Sequence, residues 1–320
     1  MSFVRTVLGD IPPEQLGVTN AHEHLICEAG PHLASSPEGL EDLRLDSVEK
    51  AVEELRLFKQ SGGNAMLEVS CPEYGRDAAK LAEISRQAGV HVVAATGHIM
   101  EGYWRGVVDV GAISDEDLHA EMTRDLLHGF PEAPDVRAGV IKVGTGREAV
   151  HPDEERMLRL AARVQRETGA PITTHTTAGT VPLEQVRIFL DAGADPAHVV
   201  IGHQDRRLVW EDHLAVVQAG FRIGYDCISK DRYELDLHRI EFLARLCEEG
   251  FADRVVLGSD IARRSYFTSY GGGPGFTYLL WRFVPWMRQE GIAEEHIQQM
   301  LVANPAATFA FAPVPATAGA

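Results

Sequence analysis

The residues with the most chemical potential in this 320-residue chain are four histidines, one aspartate and one lysine. His22 and His24 stand two apart in Ala21-His22-Glu23-His24. In a strand, residues i and i+2 point to the same side, so both imidazoles face one point. Two imidazoles converging at a strand end supply half of a metal site. Alone, His-x-His is a weak signal, because a polar loop explains it as well. His175 closes the run Pro-Ile-Thr-Thr-His, His203 closes Val-Val-Ile-Gly-His, and Asp260 closes Val-Val-Leu-Gly-Ser-Asp. A single strand-end histidine is more often a core residue than a ligand. Three separate strand ends plus His-x-His, all polar on apolar strands, are hard to explain by packing, since buried imidazoles and a carboxylate need mutual pairing or a metal. Lys142 interrupts the apolar strand Ala138-Gly139-Val140-Ile141-Lys142-Val143. A lysine there is costly unless it is paired, neutralised, modified or snorkels to solvent. A neutral buried amine can add CO₂ to form a carbamate, whose two oxygens and single negative charge suit it to bridge two cations.

These residues need strands to carry them, and the chain repeats one rhythm of short β-branched runs followed by longer amphipathic stretches. Strands are expected at 16–22, 64–70, 90–96, 137–143, 171–176, 198–203, 221–228 and 254–260. Near-continuous apolar runs suit strands buried on both faces of a parallel sheet. Helices are expected at 47–60, 152–168, 182–193 and 237–249, with Thr168-Gly169 and Ala192-Gly193 as stops. Eight strands alternating with helices over about 250 residues predict an α/β fold, a (β/α)₈ TIM barrel. An open doubly wound sheet is the alternative, and the absence of Gly-x-Gly-x-x-Gly in the first βα turn weakens its dinucleotide-binding form. One barrel domain is expected over 1–311, with 312–320 as a flexible C-terminal tail. The connection 261–278 follows the last strand and falls on the face where barrel active sites assemble.

Composition narrows the classes further. A formal net charge of −17 argues against nucleic acid and anionic membranes as general partners. The chain has no uncharged apolar run of membrane-spanning length and no basic-then-apolar leader pattern after Met1. Cys27, Cys71, Cys227 and Cys247 show no paired metal-binding spacing, which fits reduced thiols in a cytoplasmic protein.

Taken in order, His22-x-His24, Lys142, His175, His203 and Asp260 resemble the phosphotriesterase-like lactonase branch of the amidohydrolase superfamily. The resemblance covers nearly the whole chain. It includes Thr19-Asn20-Ala21-His22-Glu23-His24, Ala138-Gly139-Val140-Ile141-Lys142, Ile172-Thr173-Thr174-His175-Thr176, Ile201-Gly202-His203 and Asn304-Pro305-Ala306. It implies that His22, His24 and Asp260 bind a more buried metal ion and that His175 and His203 bind a more exposed one. Lys142, as its N6-carbamate, would bridge the two, and a bridging hydroxide would be the nucleophile. Asp260 would act as general base and then general acid. Zinc suits the mixed nitrogen and oxygen ligands, and manganese or cobalt would also fit. A homodimer is common in the resembling family, and 276–286 could line its interface or form the core of the last helix. One position departs from the pattern. Where the family places an aromatic residue after Thr-Gly, this chain has Thr96-Gly97-His98-Ile99, with Tyr103 and Trp104 close by. His98 could contact substrate or be an ordinary loop histidine.

The substrate clue lies in Asp260-Ile261-Ala262-Arg263-Arg264-Ser265-Tyr266, followed by a flexible Gly271–Gly275 run able to expose backbone N–H groups. A helical turn would bring Arg263 and Tyr266 together. Arg206 and Arg207 follow the sixth strand, and Lys230 follows the seventh. A cationic rim on an acidic protein suggests a small anionic substrate, because guanidinium forks match phosphate and carboxylate oxygens. The structural alternative is salt bridges to nearby acids. The loop resembles that of family members that hydrolyse phosphorylated sugar lactones, which implies phosphate contacts by Lys230, Arg263 and Tyr266. The expected function is therefore opening of a phosphorylated furanose lactone. Phosphotriester or other ester hydrolysis at the same centre, a non-catalytic ligand-binding barrel and a nucleotide-dependent oxidoreductase are the competing readings.

Overall fold

The computed structural model describes residues 2–314. Eight parallel strands form one sheet in chain order: β1 (Thr19–Glu23), β2 (Ala65–Glu68), β3 (His91–Gly97), β4 (Val140–Thr145), β5 (Ile172–Thr176), β6 (Val199–Ile201), β7 (Arg222–Tyr225) and β8 (Val255–Leu257). The sheet closes where the Asp260 N–H, just past β8, donates to the His22 carbonyl of β1 at 3.0 Å. The expected barrel is therefore the fold, and each expected strand overlaps an observed one.

Helices fill the crossovers: α1 (Val48–Gln60), α2 (Ala78–Ala88), α3 (Asp115–Leu127), α4 (Pro152–Thr168), α5 (Pro182–Asp191), α6 (Trp210–Gln218), α7 (Asp236–Glu248) and α8 (Val284–Gln289). Local chemistry sets their ends. Ser47 caps α1 by accepting from the Lys50 N–H at 3.2 Å. α4 starts with Pro152 after a capping box of His151 and Glu154, and stops at Gly169, whose φ of 74° suits glycine. Helices α2, α3 and α6 went unnamed in the sequence pattern. α3 shows why: its buried face is only Leu118, Met122, Leu126 and the acid Asp125. The segment before α8 buries Phe276, Leu279 and Phe283, while Trp281 remains 63% exposed. It is thus mainly core.

The core has two layers. Ala65, Leu67, Val93, Ala95, Val140, Val200 and Val256 pack together inside the barrel. Their neighbours Met66, Val92, Ala94, Ile141 and Ile172 pack outward against the helices. This period of two decides where Lys142, His175 and Asp260 point. Val140 faces inward, so Lys142 does too. The face of Val256 continues through Gly258 to Asp260, and Ile172 faces outward, so His175 faces inward. Of the expected tail, Ala312 is tied to Gly169 by a 2.8 Å backbone hydrogen bond, and 315–320 lie outside the described residues. Among the described residues, no helix is long and apolar enough to cross a membrane.

Candidate metal centre

All six residues expected from the sequence meet at the C-terminal end of the barrel, around one pocket. His22 is 1% exposed, His24 5%, Lys142 1%, His175 8% and His203 1%. Asp260 is the most open of them, its side chain 20% exposed. The Nε2 atoms of His22 and His24 lie 4.0 and 3.4 Å from Asp260 Oδ1. Lys142 Nζ is 3.1 Å from His22 Nε2, and His203 Nε2 is 2.9 Å from His175 Nδ1.

The donor chemistry fits metal ions. Ligating imidazoles must be neutral. Burial, reinforced by the Lys142 charge, pushes His22 down to about 3. Burial also lowers His24, and it drives His175 well below the usual histidine range. His22, His24 and Asp260 each offer one ligand atom within 4.8 Å of the others, so they can hold a metal ion.

A supporting shell aims these rings. Asp226, at the end of β7, places Oδ2 3.0 Å from His22 Nδ1 and Oδ1 2.7 Å from His203 Nδ1. Oδ1 also accepts from the His203 backbone N–H at 2.9 Å. With Nδ1 engaged by a carboxylate, each imidazole turns Nε2 toward the site, as metal-binding histidines do. Burial opposes the Asp226 charge, but the two imidazoles outweigh it and hold the carboxyl well below its ordinary range. Asp205 anchors the next backbone step by accepting from Asp226 and Cys227 N–H groups, and the buried Arg239 guanidinium ties Asp205 to Asp236. His24 Nδ1 meets Ser70 Oγ at 2.8 Å, and Ser70 donates to Glu68 at 2.6 Å.

Glu23, between the two histidines, does similar work for Asp260. Its buried carboxylate accepts from Ser259 N–H at 3.0 Å and Ile261 N–H at 2.6 Å, on either side of Asp260. His203 and Asp260 have φ values of 57° and 49°, in the left-handed region that costs a non-glycine residue about 1–2 kcal/mol. Such strain persists only where surroundings fix it, and here those surroundings are Asp226 and Glu23. Gly258 leaves the needed room: a Cβ there would sit 3.0 Å from Asp226 Cβ and 3.1 Å from His22 Cβ.

Residues 2–309 match the Phosphotriesterase family. The chain belongs to that family. It is 32% identical to the phosphotriesterase homology protein of Escherichia coli (strain K12), covering 92% of this chain and 98% of that one. It is 31% identical to the phospho-furanose lactonase of Mycoplasmopsis synoviae (strain 53), covering 97% and 92%. The crystal structure of a lactonase from Listeria monocytogenes superposes with a TM-score of 0.92 at 32% identity, covering 97% and 100%. Like these relatives, the chain is a hydrolase of a metal-dependent family.

The substrate side of the pocket differs in detail from the sequence expectation. Ile99 lines the pocket where the family pattern has an aromatic residue, and Tyr103 supplies the missing ring, its centroid 5.9 Å from that of His175. Trp104 is buried outside the lining. His98 does not reach substrate space: it is buried between Glu73, at 2.9 Å, and Glu121, at 3.6 Å. Arg263 and Tyr266 do come together, through a turn in which Tyr266 N–H bonds the Arg263 carbonyl at 3.0 Å, and both line the pocket. Arg263 also lies 3.3 Å from Asp42, and Arg264 pairs with Glu41 and Asp46, so the loop is pinned to the 41–46 segment. Lys230 joins the pocket and lies 2.6 Å from Asp260 Oδ2. The Gly271–Gly275 run contributes no lining residue. Its Gly272, Gly273 and Gly275 N–H groups bond the carbonyls of Phe267, Ser265 and Tyr266, bracing the loop from behind.

Among the lining and supporting groups that escaped the sequence reading are Glu23, Asp226, Tyr74, Arg232 and Tyr233. The signal for Asp226 was present, because it is a carboxylate ending an apolar strand just as Asp260 is. Glu23 carried the same sign, an acid on the first strand between two histidines.

Proposed function

We propose that this chain is a metal-dependent lactonase that opens a phosphorylated furanose-type lactone. The observation that carries the reading is the convergence of His22, His24 and Asp260 beside Lys142, His175 and His203, beneath a wall that includes Lys230, Arg263 and Tyr266. His22, His24 and Asp260 would hold one divalent ion, and His175 and His203 a second. Zinc is the first choice for this ligand set. Lys142 would join the two sites as its carbamate. Burial lowers its ammonium to about 8, so free amine, the form that adds CO₂, is accessible near neutral pH. When bound, the ions supply Lewis acidity and a water of lowered pKa.

The chain supplies the rest. Asp260 is held ionised: burial opposes its charge, but Lys230 and His24 outweigh that. Its carboxylate faces the pocket and can take a proton from the attacking water, then return it to the ring oxygen as the ester bond breaks. Lys230, Arg263 and Tyr266 would orient the substrate phosphate. The named activity of the Mycoplasmopsis synoviae relative supports this substrate class. Cytoplasmic residence is part of the proposal, in keeping with four free cysteines, and so is a homodimer, for which the exposed Trp281 is a candidate contact.

The test is a paired panel of sugar γ-lactones with and without a 5-phosphate, followed by proton release with metal-loaded protein. Phosphorylated lactones should be preferred by about 100-fold in kcat/KM, worth about 2.7 kcal/mol of transition-state binding. A neutral phosphotriester turned over faster than every lactone would replace this reading with organophosphate hydrolysis.

A further inference from the structure

The aromatic wall of the pocket rests on very little backbone. Ile99 stands just past the end of β3, so the ring facing His175 belongs to Tyr103, four residues further on, in the single helical turn Glu101–Trp104. Ring centroids run from His24 to Tyr74 at 5.1 Å, from Tyr74 to Tyr103 at 5.3 Å and from Tyr103 to His175 at 5.9 Å, an arc along one side of the site. A lone turn has no stability of its own, since fixing it costs more than its first hydrogen bond contributes. Trp104 is buried and roots the turn in the core, but apolar burial is non-directional and sets neither its height nor its rotation. Two buried carboxylates supply the direction. Glu73 Oε1 accepts the Ile99 N–H at 2.5 Å. Glu154, in the first turn of α4, accepts the Glu101 N–H on Oε1 at 3.1 Å. Its Oε2 accepts the N–H groups of Gly146 at 3.0 Å and His151 at 2.9 Å. Glu154 is 1% exposed and, among the described residues, forms no ion pair. Its charge is met by these three backbone donors and by the N-terminus of α4. The donors belong to the Tyr103 turn, to the residue just past β4 and to the cap of α4, so one carboxylate ties that turn to the end of the strand that carries Lys142.

We infer that Glu154 is a positioning residue for the hydrolytic site: its Oε1 clasps the Glu101 N–H and so holds the Tyr103 ring at the His175 side of the pocket, where it walls the substrate. Glu73 secures the other end of the same segment at Ile99. Glu154 does not line the pocket, so it acts through Tyr103 and not on the reacting ester, whichever ester that is. Its two oxygens have separate tasks, which makes the clasp separable from the fold. The amide of Glu154→Gln has one acceptor oxygen and one NH₂. The oxygen should take the Oε2 place, where two N–H groups point, and so preserve the capping box of α4. The NH₂ then meets the Glu101 N–H donor to donor, and only the hold on the Tyr103 turn is lost.

The experiment joins hydrogen exchange to kinetics on the metal-loaded full chain. Exchange resolved to single amides should find the Ile99 and Glu101 N–H groups of wild type protected, although both lie outside the barrel's strands and long helices. In Glu154→Gln the amides of 101–104 should exchange about tenfold faster or more, as expected for loss of one charge-assisted hydrogen bond, while the rest of the barrel stays within about twofold of wild type. With a phosphorylated sugar γ-lactone as substrate, KM should rise about tenfold, kcat should change far less, and metal content should match wild type. Tyr103→Ala should raise KM at least as much. Adding Glu154→Gln to Tyr103→Ala should then change KM by less than about twofold, because the clasp works through that ring. Effects of the two substitutions that simply multiply overturn the inference. So does faster exchange throughout the barrel, which would make Glu154 a residue of the fold alone, and so does a wild-type Glu101 amide that exchanges like an exposed loop. Should wild type open no lactone, the lactonase reading fails by itself, and the exchange data decide this one: acceleration confined to 101–104 supports the clasp, and an unchanged segment refutes it.

Discussion

Replacing Asp226 by Asn should weaken one metal position far more than the other. The wild-type carboxylate serves both His22 Nδ1, at 3.0 Å, and His203 Nδ1, at 2.7 Å. An amide of the same shape has one acceptor oxygen and one donor NH₂. The oxygen should stay on the His203 side, because Oδ1 there accepts both the ring N–H and the backbone N–H of His203. The NH₂ then faces His22 Nδ1 and donates to it. That forces the His22 proton onto Nε2, the atom that must coordinate. Loss of such an outer carboxylate typically costs 10–100-fold in metal affinity. The upper end, about 100-fold or about 2.7 kcal/mol, is expected for the His22 position, because its tautomer is inverted as well as its partner lost. The His203 position should weaken by less than about tenfold. Competition with a chromophoric chelator, fitted to two sites, reads both constants, and circular dichroism checks that the barrel is intact. Two unchanged constants, or two that fall equally, would refute the orientation argument.

Asp260→Asn should fold normally, since Glu23 still holds the backbone on either side, but should lower kcat by about 10²–10⁴-fold through loss of the proton carrier. Retention of full turnover would remove Asp260 from its assigned role. His98 gives a pH prediction: burial lowers its basicity, but the hydrogen bonds its ring donates to the Glu121 and Glu73 carboxylates outweigh this and raise its pKa to about 10. A raised folded-state pKa means the stabilisation is complete below about 6.5, shrinks as pH rises from there, and is gone above about 10. Chemical denaturation of wild type and His98→Gln between these limits should show a difference that closes by an amount on the order of 4 kcal/mol, and a constant difference would contradict the ion-pair account.

How much of this was legible in the sequence follows from what kind of contact each feature makes. The barrel and the inward turn of Lys142, His175 and Asp260 were readable because strand alternation is local: Lys142 sits two past Val140, and Asp260 four past Val256, whereas His22 lies at a register shift in β1 and His203 adopts a left-handed φ of 57°. The helices with thin apolar stripes, α3 above all, were not, since the sheet rather than periodicity holds them. The supporting shell was harder still. Glu23 reaching Ser259 and Ile261 is a contact across the closure of the barrel, between residues more than 200 positions apart, and no spacing rule covers it. The cationic loop shows the same limit. Arg263 and Arg264 were visible as charges, but whether they face substrate or Asp42, Glu41 and Asp46 depends on where the first βα loop packs. Arg232 and Tyr233 carry no motif in the sequence, and the fold sets them beside Arg206.

The most direct test of the account is metal removal and return. The protein is stripped with a chelator at neutral pH, then titrated with zinc in the presence of bicarbonate while hydrolysis of a phosphorylated sugar γ-lactone is followed. The account predicts that stripping abolishes activity, that the barrel's circular dichroism survives, and that activity returns to a plateau at two equivalents per chain. Activity untouched by thorough chelation, or full activity at one equivalent, would contradict the claim that His22, His24, Lys142, His175, His203 and Asp260 together form a two-ion catalytic centre.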